Sequence, residues 1–179
     1  MKSQQLNFNP PRKWDIVWCL FPYNETNAPG DDYHPCIICS VLKSAKPDAD
    51  GVHSYQVVLA MGTSQGTSTN PLKNGVASQL DAWDLELDAS SGCGLLKTTR
   101  FDFFYQRAVP WNDEYFSKNY NSVVVGQIPS ALISSVETCR CAGVNERQKR
   151  KNALKIKTVK PSQILESLRR AQNASENKD

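Results

Sequence analysis

Arg100 and Asp102 are two charged residues separated by a single phenylalanine. In a β-strand, residues two apart point to the same face of the sheet, so the guanidinium and the carboxylate would lie side by side. An arginine in such a pair can bind a phosphodiester while the carboxylate takes or relays a proton. The same two residues also fit a solvated surface ion pair, which contributes about 0–1 kcal/mol to stability.

Two further polar groups could take part in chemistry. The sequence Gly62-Thr63-Ser64-Gln65 follows an apolar run, and its amides and hydroxyls could hold an anion or hydrogen-bond a base edge. Those residues equally fit an ordinary turn. His34 stands just before Pro35; it could act as an acid or base near neutral pH, or serve only as a loop residue.

The elements that would position these groups are short strands. Runs of β-branched and aromatic residues bounded by turn residues predict strands at 15–21, 35–41, 53–61, 83–87, 98–105 and 123–125. The loop between the first two strands is too long for a tight hairpin turn, and long loops on a rigid sheet often carry function.

Helical patterns come late in the chain. Ile128-Pro129-Ser130 and the apolar stripe that follows predict the start of a helix. The basic stretch 143–160 shows little sign of order, and 161–172 fits a short amphipathic helix. Several strands, one packed helix and a tail predict an α+β, mostly β fold, built as a small β-barrel.

Length and charge suggest the domain organisation. A chain of 179 residues supports one domain with appendages; we expect an arm at 1–12, a domain at 13–142 and a basic extension at 143–179. Residues 1–142 hold 11 Lys+Arg and 14 Asp+Glu, whereas 143–179 hold 10 and 4. Any attraction to a polyanion would therefore start in the extension.

Composition excludes several classes of protein. No apolar run approaches the ~20 residues that span a bilayer, and the N-terminus has no apolar signal region, so we expect a cytoplasmic protein without a membrane partner. Cys36 and Cys39 would face opposite sides of a strand. We therefore expect no metal site and no cofactor, and six cysteines that are reduced and mostly buried.

Four motifs, in order, resemble the PemK/MazF-like toxins (Kid/MazF/CcdB superfold) of type II toxin–antitoxin systems. D-I-V-W-x-x-F-P, a Gly-containing loop and H-P-C-I-I-C-S are similar to the family's G-D-I-W-x-x-x-x-P…G…R-P-x-(V/I)-(V/I)-(V/I)-S. The apolar run ending in Thr63-Ser64 is similar to the family's third strand, and 100–102 matches its Arg-x-Asp. V-G-Q-I-P-S at 125–130 resembles its step into the C-terminal helix. The resemblance covers about 13–141.

The resemblance implies a small SH3-like barrel with a C-terminal helix, here followed by a basic tail. It also implies a homodimer with a cognate antitoxin protein as partner. The implied activity is sequence-specific, metal-independent endoribonucleolytic cleavage of single-stranded RNA, as in an mRNA interferase. A 2′-hydroxyl would attack the adjacent phosphorus, leaving a 2′,3′-cyclic phosphate and a 5′-hydroxyl end.

The resemblance also implies residue roles. Asp102 would be the base, Arg100 the acid or phosphate stabiliser, and Thr63 would hold the scissile phosphate. The expected RNA contacts are Ser64, Gln65, Asn24 and Lys73. His34 stands where the family carries arginine, so either His34 acts as the acid or catalysis is weak or lost. A non-catalytic binding module and a gyrase-poisoning relative are the alternative hypotheses.

Overall fold

The computed structural model describes residues 10–23, 27–49, 51, 53–116 and 123–158. Its strands are β1 Asp15–Leu20, β2 Tyr33–Lys43, β3 Tyr55–Thr63, β4 Asp84–Leu87, β5 Thr99–Pro110 and β6 Val124–Gln127. A 3₁₀ turn at Ala89–Ser91 precedes β5, and another at Ser130–Leu132 leads into helix α1, Ile133–Thr158. The predicted α+β, mostly β class is confirmed.

The strands form one antiparallel sheet in the order β4-β5-β3-β2-β1-β6, curved into a half-barrel. Register shifts interrupt three pairings, at Ile16/Val17, Ile38/Ser40 and Ala60/Met61. Such irregularities bend a strand and increase its twist, which is how an open sheet curls.

Both faces of the sheet are covered by apolar side chains. Val17, Cys36 and Leu59 belong to the first cluster, which the segment after β5 closes with Trp111 and Phe116; we call this side the inner face. The second cluster lies on the other side of the sheet, which we call the helix face. It is closed by α1, and its members are Trp14, Ile16, Ile37, Cys39, Ala60, Leu87, Cys93, Leu95, Phe101, Phe103, Ile128 and Val136.

The predicted strands all exist, with shifted ends. The largest shift is in β5, which was predicted to end at residue 105 and continues to Pro110. Proline is tolerated there because β4 pairs only with residues 99–102 of β5, so the far part of β5 is an edge strand on that side. Pairing with β3, rather than local sequence, sets that length.

The prediction of weak order beyond Gly143 was wrong for the described residues, because α1 continues to Thr158. Within that part of the helix, Arg150 Nε donates to Glu146 Oε1 at 2.9 Å and Gln148 Nε2 donates to Asn152 Oδ1 at 2.9 Å. Side-chain pairs four residues apart stabilise a helix that carries few apolar residues. No described helix has the length and apolar character needed to cross a bilayer.

By internal contacts the chain divides into two compact units, Met1–Val144 and Asn145–Asp179. The domain boundaries predicted from sequence remain predictions. The predicted amphipathic helix at 161–172 lies outside the described residues.

Gly143 shows how tightly α1 approaches the sheet. A Cβ placed on it would lie 2.4 Å from the carbonyl oxygen of Phe103. Helix propensity favours alanine over glycine by about 0.8–1.0 kcal/mol, whereas forcing a methyl group against rigid backbone costs about 1–3 kcal/mol.

We therefore expect Gly143→Ala to lower the free energy of unfolding by about 1 kcal/mol or more, measured by urea denaturation. The control is Ser135→Ala on the exposed side of the same helix, where propensity acts alone and stability should be unchanged or slightly higher. A stabilised Gly143→Ala would show that the helix does not approach Phe103 this closely in solution.

Candidate active site

Asp102 occupies the point at which β5 changes its pairing with β3. Met61 pairs with Asp102 but the preceding residue, Ala60, pairs with Gln106, so residues 103–105 form a bulge in β5. Asp102 Oδ1 accepts the backbone N–H groups of Phe104 at 2.7 Å and Tyr105 at 3.3 Å. The carboxylate thus replaces the partners that the bulge removes from the sheet ladder.

These bonds leave one oxygen of the carboxylate for other chemistry. Both go to Oδ1, and within the described part of the chain Asp102 Oδ2 makes no hydrogen bond. Asp102 is only half-buried. The predicted base is therefore held in a fixed orientation, with one oxygen that no described residue engages by a hydrogen bond.

The predicted cation lies next to it on the same face. Arg100 and Asp102 alternate along β5 with Phe101 and Phe103, which belong to the helix-face cluster, so the two charged residues face inward. Their Cα atoms are separated by about 6.6 Å along the strand. Among the described residues Arg100 makes no ion pair, so the simple surface ion pair considered above is not what the structure shows.

Thr63 completes a row with Arg100. Glu86, Arg100 and Thr63 are directly paired across β4, β5 and β3, so their side chains share the inner face. Cys36 pairs with Met61 on the next strand, and extending that register by two residues places His34 beside Thr63. The observed pairing therefore brings Arg100 and Thr63 into one row at the end of the sheet, and a continued β2–β3 register would add His34.

The loop after Thr63 is built by its own hydrogen bonds. Thr63 Oγ1 accepts the N–H of Gln65 at 3.1 Å, and the carbonyl of Ser64 accepts Thr67 Oγ1 at 3.0 Å. Glu86 fastens the loop by accepting the N–H of Ser68 at 3.1 Å and its hydroxyl. Ser64 is half-buried and Gln65 exposed, so the two lie beside the row at its open end.

His34 forms a hydrogen bond between its Nε2 and the Tyr23 hydroxyl, with a distance of 2.6 Å. Both residues line a cavity of about 450 Å³ with Ala28, Pro29, Gly30, Asp31 and Asp32. Burial, followed by the nearby Cys36 and Asp32, raises the pKa of the Tyr23 hydroxyl. His34 is thus hydrogen-bonded to a neutral phenol and lies near the carboxylates of Asp31 and Asp32. Such surroundings differ from those of an arginine without a partner.

Two predicted RNA contacts are not part of this row. Lys73 lies in an exposed turn at 72–75, beyond the loop that Glu86 holds. Asn24 lies outside the described residues. Their roles stay predictions.

Asp84 is a site residue that the sequence reasoning did not single out. It pairs directly with Asp102 across β4 and β5, so two carboxylates share one position on the inner face. Burial, with the repulsion of Asp102 and Asp81, raises the pKa of Asp84, while the Asp81 N–H and Arg100 oppose that rise. The acidic residues that recur within 81–88 were the available signal for Asp84 in the sequence. A four-residue strand, however, is too short for its pattern to show which face of the sheet each side chain occupies.

The cysteines are mostly buried thiols. Four of the six are buried, and none forms a disulfide; Cys36 and Cys39 belong to opposite faces, as predicted. Burial raises the pKa of Cys39 to about 12, so that thiol is inert. Within the described ranges, no three His, Cys, Asp or Glu side chains lie together as metal ligands would.

The structural role of Asp102 can be separated from its charge. Asp102→Ala removes the acceptor of two N–H groups and should cost about 1–2 kcal/mol of unfolding free energy. Asp102→Asn keeps an acceptor oxygen and should cost much less. Urea denaturation of both variants measures this, with Asp32→Ala in an exposed loop as control. Equal losses for Asn and Ala would contradict the role assigned to Oδ1.

Asp84 gives a pH prediction. Because the folded-state pKa lies above the unfolded one, ionised Asp84 destabilises the fold at neutral pH, and this penalty disappears as the pH falls to the unfolded value of about 3.9. We expect Asp84→Asn to be more stable than the wild type at pH 7, with a difference that vanishes towards pH 4.

Asp88→Asn is a control for which we expect the opposite change in stability. Hydrogen bonds from Ser90 lower the pKa of Asp88, so its charge favours the fold at neutral pH and Asp88→Asn should lose stability there. Urea denaturation between pH 4 and 7 compares the two variants. A less stable Asp84→Asn at pH 7 would show that the Asp84 charge is stabilising.

Comparison with known proteins gives a distant structural likeness. No family model matches the sequence, and no curated protein matches it. A solved structure titled "Endoribonuclease from Mycobacterial species" is similar at 14% identity and a TM-score of 0.46, covering 78% of this chain and 96% of that one. An identity and a TM-score this low transfer neither an activity nor a residue's role to this chain.

Proposed function

We propose that this protein is a metal-independent endoribonuclease that cleaves single-stranded RNA by attack of a 2′-hydroxyl on the adjacent phosphorus. The observation that carries the proposal is that Asp102 and Arg100 lie next to each other on the inner face of the sheet. In the described part of the chain, one is a carboxylate fixed through Oδ1 with no hydrogen bond at Oδ2, and the other is a guanidinium with no ion pair.

The proposed reaction assigns each group a proton or a charge. Asp102 Oδ2 takes the proton of the 2′-hydroxyl, whose oxygen then bonds to phosphorus as the bond from phosphorus to O5′ breaks. Arg100 stabilises the negative charge on the non-bridging oxygens, which needs a fixed cation rather than a metal. The products are a 2′,3′-cyclic phosphate and a 5′-hydroxyl.

The leaving O5′ also needs a proton. Because an arginine holds its proton at any ordinary pH, Arg100 acts as the phosphate stabiliser and a water molecule gives O5′ its proton. Thr63 can donate its hydroxyl hydrogen to the phosphate, because its oxygen acts as the acceptor of Gln65 N–H.

Substrate and partners follow from the same proposal. Unpaired RNA exposes base edges that loop residues such as Ser64 and Gln65 can read, which would make cleavage sequence-specific, as in an mRNA interferase. The cognate antitoxin, the homodimer and the cytoplasmic location are predictions that the sequence resemblance alone supports.

One observation favours a second candidate, a binding module without catalysis. Glu86 and Asp84 flank Arg100 and Asp102, and this negative charge opposes binding of a polyanion. His34 is held by Tyr23 rather than free to act. Such a barrel would bind a partner through this face and leave RNA intact.

Cleavage of a long single-stranded RNA in EDTA, with mapping of 5′-hydroxyl ends, separates the two candidates. We expect the wild type to cut, and Asp102→Asn, which keeps the fold, to lose about 10²–10⁴-fold in rate. Arg100→Gln should lose activity as well, whereas Lys46→Gln, an exposed lysine in the 44–49 connector, should cut normally.

Two results would count against the enzyme. Intact RNA with the wild type, under conditions in which a control ribonuclease cuts, would favour the binding module. Full activity of Asp102→Asn would mean that another group is the base.

A further inference from the structure

Arg107 lies on the inner face beyond the bulge, where it pairs with the core residue Leu59. Its side chain is half-buried, and its Nε is buried with no hydrogen-bond partner among the described residues. Its Nη1 donates to the carbonyl of Gln106, at 3.4 Å. A buried donor without an acceptor is rare in folded proteins and needs an explanation, such as an ion that completes it.

Among the described residues, no carboxylate neutralises this guanidinium. Two other arginines illustrate the usual solution, since Arg140 and Arg150 each pair with a glutamate, at 2.6 Å and 2.9 Å. Among the described residues Arg107 has no such ion pair. Partial burial of an unpaired charge is costly, so an anion from outside the chain would gain from binding here.

The space beside Arg107 can hold such an anion. A cavity of about 390 Å³ lies there, lined by Asn27, Gln106, Arg107 and Ala108. The described residues that line it include no acidic one, in contrast to the cavity beside His34, which includes Asp31 and Asp32. Its volume lies within the range of small-molecule sites, roughly 300–1,000 Å³, so it accommodates more than a bare ion.

The walls of the cavity are held in place from both sides. Asn27 adopts a left-handed backbone conformation, with φ of 54°, and its carbonyl accepts the Tyr115 hydroxyl. Gln106 is buried, with Nε2 donating to the Phe103 carbonyl at 2.8 Å. A small exposed residue, Ala108, leaves one side open. The cavity is thus a recess with fixed walls, and one guanidinium in it has a buried Nε donor without an acceptor among the described residues.

We propose that this recess binds a phosphate group through Arg107. The planar guanidinium offers two parallel N–H donors that match the oxygens of a phosphate, and Asn27 can add its amide. The phosphate could belong to an RNA strand or to a free nucleotide, and the shared chemistry is a phosphate ester.

The position of Arg107 relative to Arg100 favours a phosphate that belongs to an RNA strand. This alternative rests on the proposed function. Arg100 pairs with Thr63 and Arg107 with Leu59, so the two guanidinium groups share a face and are separated by about 13 Å along β3. A strand whose scissile phosphate lies at Arg100 would then present a neighbouring phosphate to Arg107.

The first test uses inorganic phosphate and does not depend on RNA. In ¹H–¹⁵N spectra the Arg107 Nε signal, assigned by its loss in Arg107→Gln, should shift in a saturable way with phosphate but not with chloride at equal ionic strength. Arg107→Lys should weaken this binding about tenfold because it loses the fork of donors. Arg100→Gln should leave the shift intact, which separates the two cations.

The second test uses a single-stranded oligonucleotide that carries 2′-deoxy residues and so cannot be cleaved by 2′-hydroxyl attack. For an RNA-type strand, Arg107→Gln should lower the slope of log affinity against log salt by about 0.7, with Lys46→Gln as the control for one lost charge. An intact phosphate shift with an unchanged slope would assign the recess to free phosphate esters.

An Arg107 Nε signal that does not respond to phosphate would overturn the proposal. A wild-type protein that does not cleave RNA would not overturn it, because the phosphate titration needs no catalysis. The failure of the site and the failure of the proposed activity are thus measured separately.

Discussion

The bulge at residues 103–105 is the irregularity on which the rest of this sheet depends. Before it, β5 is held between β4 and β3; after it, β5 continues along β3 alone. The backbone groups that lose their partners on β3 find others nearby. Asp102 Oδ1 accepts two backbone N–H groups. The N–H of Phe103 donates to the carbonyl of Trp83, and the carbonyl of Phe103 accepts a hydrogen bond from Gln106 Nε2. The missing side chain of Gly143 lets α1 press against the same point.

This irregularity is also what places the charged side chains. Because the bulge shifts the pairing by three residues, both Arg100 and Arg107 lie on the inner face, although they are seven positions apart along the chain. In a regular strand they would point to opposite sides. Asp102 lies between them as the side chain that holds the bulge, so the group proposed as the base is also a structural support.

The sequence predicted the strands more reliably than their partners. Runs of β-branched and aromatic residues bounded by turn residues located β1, β2 and β3 within a few residues, and the i, i+2 rule correctly placed Arg100 and Asp102 on one face. The bulge could not be predicted, because it is defined by two strands about 40 residues apart, Ala60/Met61 against Asp102/Gln106. For the same reason Asp84 was missed as the neighbour of Asp102, and Arg107, which lies beyond the predicted end of β5, was not singled out.

The carboxylates around Arg100 have a consequence for the source of any binding energy. Proteins that hold RNA mainly by neutralising phosphates gain from the release of counterions condensed on the strand. Here Asp84, Asp102 and Glu86 surround Arg100 with negative charge, so a bound strand would release few counterions at this end of the sheet. Contacts with unstacked bases would then have to supply the affinity, and a strand of the wrong sequence would gain little from its charge alone.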